Sequence, residues 1–142
     1  MAEAMRVRRA WVLFLAMAGL LLAACGDDER SRGFGAYDCA GPERIYHGRA
    51  GFVRRPCAVS ADRIYEAIPE YRALRAKGIA RDNPRWHLEM QKASKRFNEA
   101  VKAMARKYGH DLVAEIGVCR PNKDGVAEPP DRTQEVLDLL RK

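Results

Sequence analysis

One stretch of this chain can form little other than a long helix: RDNPRWHLEMQKASKRFNEAVKAMARKYGH, residues 81–110. Asp82 or Asn83 can cap its start, Pro84 suits the first turn, where an absent N–H breaks no ladder, and Gly109 suits its end. Trp86, Met90, Ala93, Phe97, Ala100 and Met104 recur at alternating spacings of four and three, a heptad seam of about three repeats. The 25 residues from Pro84 to Tyr108, rising 1.5 Å each, reach roughly 37 Å. A helix of that length with one apolar seam must lie against something long. The nearest partner is SADRIYEAIPEYRALRAKG, residues 60–78, in which Ile64, Ile68, Tyr71 and Leu74 fall on one helical face. Ser60 is its expected N-cap and Gly78 its expected end, while Pro69 predicts a kink or restart near Ile68. Trp86, Met90, Phe97 and Met104 are thus the expected seam of a helical hairpin.

The opposite face of the long helix carries Arg85, Lys92, Lys95, Arg96, Lys102, Arg106 and Lys107 against Glu89 and Glu99 alone. A solvated face usually interleaves both signs. The bias marks these cations as candidates for binding a client polypeptide or an anionic surface.

After the helix, DLVAEIGVCR (residues 111–120) predicts a strand, a tight turn at Glu115–Gly117 and a second strand, with Val113 and Val118 in the core. PNKDGVAEPP (residues 121–130) is a loop. DRTQEVLDLLRK (residues 131–142) closes as a short amphipathic helix, capped by Asp131 or Thr133 and packing through Val136, Leu137 and Leu140. With the short apolar run after Pro56 as a further strand, the class is α+β: a small, mostly antiparallel β body, a projecting helical hairpin and a short C-terminal helix.

The beginning of the chain has a different character. Ala10–Ala24 is an apolar run preceded by Arg6, Arg8 and Arg9. At 15 residues it falls short of the roughly 20 that cross a bilayer, and it has the layout of a secretory signal. Its last residues, LAAC (Leu22–Cys25), resemble the lipobox of bacterial lipoproteins. That resemblance implies cleavage before Cys25, a diacylglyceryl group on its sulfur and a further acyl chain on its amino group, enough together for stable anchoring. Gly26, the next residue, favours sorting to the outer membrane, so the expected place is the cell envelope, facing the periplasm. Residues 1–24 are then the signal peptide, 25–56 a lipidated and partly irregular tether rich in Gly, Arg and Asp, and 57–142 the domain.

Removing the signal changes the net charge from +7 to +5, with 23 basic and 18 acidic side chains left. An exported basic protein meets anionic lipid, lipopolysaccharide and acidic polypeptides, and export disfavours nucleic acid as a partner. Cys39, Cys57 and Cys119 remain beside the lipidated cysteine, and an oxidising periplasm predicts one disulfide among them. Spacing leaves the connectivity open. Expected positions on two strands of one small sheet favour Cys57 with Cys119 over a pair with Cys39. No C-x-x-C is present for metal or thiol exchange, and His47, His87 and His110 lack a matching nucleophile or carboxylate pattern. The chain reads as neither an enzyme nor a cofactor or metal protein.

Three quoted segments, in this order, resemble the Skp/OmpH family of periplasmic chaperones. AVSADRIYEAIPEYRAL (residues 58–74) is similar to the family's first strand and helix. AVKAMARKYGHDLVAEIGV (residues 100–118) is similar to its return helix and next strand, and DRTQEVLDLL (residues 131–140) to its terminal D-I-T-x-x-V-L. His110 stands where the family usually has an aromatic residue and Arg132 where it has Ile, and the hairpin is much shorter. The resemblance implies a β body that associates as a trimer and helical arms that hold unfolded outer-membrane proteins without cofactor. The competing expectation is a structural envelope lipoprotein that binds peptidoglycan or lipopolysaccharide through its basic helix.

The anchor is the most directly testable of these readings. Cys25→Ala is expected to abolish incorporation of labelled fatty acid and to shift the protein out of the processed membrane fraction. Labelled lipid on the substituted chain would refute it.

Overall fold

The computed structural model describes residues 35–51 and 53–142. The expected signal peptide and the expected lipidation site at Cys25 lie outside them. Five short strands and four α-helices make up the described chain: β1 (Tyr37–Cys39), β2 (Ile45–His47), β3 (Pro56–Val59), α1 (Ala61–Ala67), α2 (Pro69–Ala76), α3 (Pro84–Tyr108), β4 (Leu112–Glu115), β5 (Cys119–Pro121) and α4 (Thr133–Leu140). A 3₁₀ turn at Pro42–Arg44 joins β1 to β2. The fold is α+β, as its periodicities require.

The strands form two small sheets. One has the order β2-β4-β3, with β2 antiparallel and β3 parallel to β4; the other pairs β1 with β5 antiparallel. Parallel neighbours need a crossover connection, and here the hairpin of α1, α2 and α3 provides it. The outer edge of β3 is covered by the chain before α4: Ala58 donates to the Pro130 carbonyl at 2.9 Å and accepts from Arg132 N–H at 2.8 Å. Covered on that edge, PCAV is buried at all four positions.

Alternation along the strands divides the interior in two. Cys57, Val59 and Val113 join Ile64, Ile68, Phe97, Val101, Met104 and Val136 in the main core under the helices. Leu112 and Ala114 point the other way and pack with Val53, Val118 and Cys119. The expected face Ile64, Ile68 and Leu74 is buried, with Tyr71 half-buried at its side. Pro69 does restart the helix: α1 ends at Ala67, and Ile68 sits in extended backbone between α1 and α2.

This division corrects the expected Cys57–Cys119 bridge. After the turn at Gly117, whose φ of 83° suits glycine, β5 leaves the sheet of β3 and β4 and pairs with β1. Cys39 lies directly opposite Cys119 and is bonded to it. Cys57, on the helix side of the other sheet, is a free, buried thiol. The folded body also includes β1 and β2, which come from the stretch expected to serve as tether.

The disulfide closes a loop of 80 residues, and a loop of that length restricts the unfolded chain by about 4 kcal/mol in the chain-entropy picture. Cys39→Ser is therefore expected to lower the unfolding free energy by about 2–4 kcal/mol, read as a lower urea midpoint than the oxidised protein. Reduction of the wild type should reproduce most of that shift.

Candidate interaction surface on the helical hairpin

α3 is the element that carries the candidate site, and its start and end are set by side chains. Asn83 Oδ1 accepts from Arg85 N–H at 2.9 Å, and Gly109 ends the helix at φ 69°. Along the seam, Ala93, Phe97, Ala100 and Met104 are buried; Val101 and Ala105 are buried beside them and widen the stripe. Trp86 and Met90, at the start of the same seam, are only half-buried. The reason is length. Strands of three or four residues span roughly 10–14 Å, so the sheet supports only the C-terminal part of a 37 Å helix, while the N-terminal part has α2 alone beside it.

Aromatic stacking fixes where α3 meets the body. The Phe97 ring stacks on Tyr65, with centroids 4.9 Å apart, and takes the edge of Tyr46 at 5.0 Å. Tyr65 Oη lies 3.2 Å from Ser94 Oγ. Tyr46 donates its hydroxyl to Glu115 Oε2 at 2.7 Å, and the same oxygen accepts from Ala61 N–H at 3.0 Å. The capping oxygen at the start of α1 is therefore a carboxylate from β4. Ser60 occupies the N-cap position without a side-chain cap, and its own N–H donates to Thr133 Oγ1 at 2.9 Å. At α4, Asp131 Oδ1 receives both Thr133 N–H and Thr133 Oγ1–H.

All seven cations singled out on the outward face, Arg85, Lys92, Lys95, Arg96, Lys102, Arg106 and Lys107, are exposed. Lys92 pairs with Glu89 at 2.9 Å and Arg96 with Glu70 on α2 at 3.0 Å. Arg85, Lys95, Lys102 and Arg106 have no acidic partner among the described residues. Beside them runs an open strip of His87, Met90, Gln91, Ser94, Asn98 and Glu99. The surface thus combines an excess of positive charge with amide, hydroxyl and imidazole groups and the Glu99 carboxylate over several helical turns. It can hold an extended or anionic partner by many weak contacts.

Among the described residues no three His, Cys, Asp or Glu side chains gather as a metal site would require. Burial pushes the Cys57 thiol up to about 12, which keeps it protonated and inert. Burial and the Glu115 carboxylate likewise push the Tyr46 hydroxyl above its ordinary value. Periodicity identified the seam and the basic face, but it missed two features. Glu115 sits at an ordinary strand end, and only the β4–β3 pairing brings it to Ala61. Leu88, 56% exposed, is an apolar residue on the polar face, a signal that was legible in the heptad pattern. Comparison with known protein families, with curated proteins and with solved structures finds no match to this chain.

Both raised groups make the fold sensitive to alkali. The native state keeps protons that the unfolded chain releases above the ordinary thiol value of 9.0 and tyrosine value of 10.0. Their contribution is complete below pH 9 and is lost as pH climbs toward 12. Urea midpoints are expected to be flat from pH 7 to 8.5 and to fall steadily above 9, with a shallower fall in Cys57→Ala.

Proposed function

We propose that this chain is a membrane-anchored chaperone of the Skp/OmpH type, a holdase that keeps unfolded outer-membrane proteins soluble in the periplasm. The observation that carries the reading is the outward face of α3, where Arg85, Lys95, Lys102 and Arg106 stand exposed without acidic partners among the described residues. A holdase needs reach, many weak contacts and no bond chemistry, and a hairpin with a predominantly cationic polar face meets those needs. A disulfide between Cys39 and Cys119 suits an oxidising compartment. β2 ends its sheet with one edge free of any described strand, and such an edge favours pairing with another copy. We accordingly propose a homotrimer, with Cys25 holding each chain at the membrane.

Client protection by this face has a definite salt and charge signature. An unfolded β-barrel protein diluted from urea should scatter less light in the presence of the wild type, and less protection should remain as salt shortens the screening length to about 3 Å at 1 M. Reversal of Lys95, Lys102 and Arg106 to Glu should remove protection at low salt while leaving helix content intact, because exposed substitutions rarely shift stability beyond about 0.5 kcal/mol. Phe97→Ala provides the contrast. Truncating that buried ring should cost about 3–5 kcal/mol, so its loss of protection would come with loss of helix. A folded triple variant that still protects would remove the basic face from the mechanism. Failure of the wild type to protect, with co-sedimentation on peptidoglycan sacculi, would favour the structural lipoprotein.

A further inference from the structure

The bond between Cys39 and Cys119 passes over Cys57, which stays a free thiol. In the unfolded, reduced chain these three thiols do not compete equally. Cys57 follows Cys39 by 18 residues and Cys119 follows it by 80. The probability of closing a flexible loop falls as the 3/2 power of its length, so the Cys39–Cys57 loop closes roughly nine times as readily. A chain exported amino end first also presents Cys57 to an oxidant before Cys119. Yet the folded protein has no place for that short bridge. Cys57 lies opposite Val113 and faces the helices, 1% exposed, whereas Cys39 and Cys119 pack with Leu112 and Ala114 on the other face. The β3–β4 pair separates them.

We infer that the native bridge is reached by thiol–disulfide exchange through a transient Cys39–Cys57 bond, with Cys57 the leaving thiol and the β3–β4 pairing the trap that keeps it from returning. The inference rests on the oxidising compartment expected from the signal. First an external disulfide, glutathione disulfide or an oxidised dithiol enzyme, takes two electrons from Cys39 and Cys57; its own sulfurs receive their two protons and become thiols. The Cys119 thiolate then attacks Cys39 Sγ. The Cys39–Cys119 bond forms, the Cys39–Cys57 bond breaks, and Cys57 leaves as a thiolate that takes up a proton, with no net gain or loss of electrons. Pairing of β3 with β4 next buries Cys57, and burial pushes its thiol up to about 12. Only a thiolate attacks a disulfide, so the exchange runs one way. In this respect the chain is a substrate for a dithiol isomerase.

The order of bond formation tests this directly. The full chain carrying Cys25→Ala keeps three thiols, and Arg44 and Arg63 lie between them, so trypsin separates the cysteines into three peptides. The reduced chain, in urea and non-ionic detergent, is diluted into reduced and oxidised glutathione, alkylated at intervals and mapped without reduction. The Cys39–Cys57 pair should exceed Cys39–Cys119 several-fold at the earliest times and then convert to it as helix content rises. A C-x-x-C dithiol isomerase should speed that conversion several-fold. Cys119→Ser should stop at Cys39–Cys57, a result read from the peptides whether or not that variant folds. Cys57→Ala should gain the Cys39–Cys119 bond without the lag seen in the parent chain. Appearance of Cys39–Cys119 from the start, with no Cys57-linked peptide at any time, would overturn the inference, as would an equal lag in Cys57→Ala. Because glutathione supplies the oxidant, such a failure would fall on the exchange route and leave the reading of the compartment and of the chaperone untouched.

Discussion

The parallel pairing of β3 with β4 is the constraint from which the rest follows. Two strands pointing the same way need a connection that travels out and back, and in this chain the whole hairpin is that connection. Because the return helix α3 must end where β4 begins, its C-terminal half is laid on the sheet and its N-terminal half extends beyond it. Arm and body are therefore joined through one continuous helix. The pairing also delivers Glu115 to the start of α1, where one carboxylate oxygen takes the Ala61 N–H and the Tyr46 hydroxyl together. Those three residues come from β2, α1 and β4, and their junction locks the base of the hairpin to the sheet.

Much of this architecture was legible in the order of residues, because helical periodicity depends on neighbours along the chain. Pro84, Gly109 and the four–three spacing of Ala93, Phe97, Ala100 and Met104 need no tertiary information to be read, nor does the restart at Pro69. What the sequence concealed were relations between distant segments. Cys57 and Cys119 both lie on strands, yet the alternation of strand faces turns Cys57 toward the helices, and β5 departs to another sheet. The partner of Cys119 is Cys39, 80 residues away, in a stretch whose Gly and Arg content reads as irregular chain. Three-residue strands such as β1 and β2 are too short to show a period. Only their partners reveal them.

The candidate surface divides in the same way. Exposure of Lys95, Lys102 and Arg106 follows from their place opposite the seam, so the basic face could be drawn from spacing alone. The exposure of Trp86 and Met90 could not, since their spacing is that of core residues. It depends on how far the sheet extends beneath the helix, a length fixed by strands that sequence could not measure.

Side-chain size along the seam sets where α3 is held most tightly. Near the body, small residues at Ala93, Ala100 and Ala105 let the helix approach closely, and Phe97, Val101 and Met104 fill the spaces between them. Close packing of this kind makes each buried atom count, so substitutions there are expensive. Toward the free end the seam residues become large and half-exposed, and fewer contacts hold each one. Local openings of the structure draw on such regions first. The hairpin is therefore tightly packed at its base and more loosely held at its free end because one long helix outruns a very short sheet.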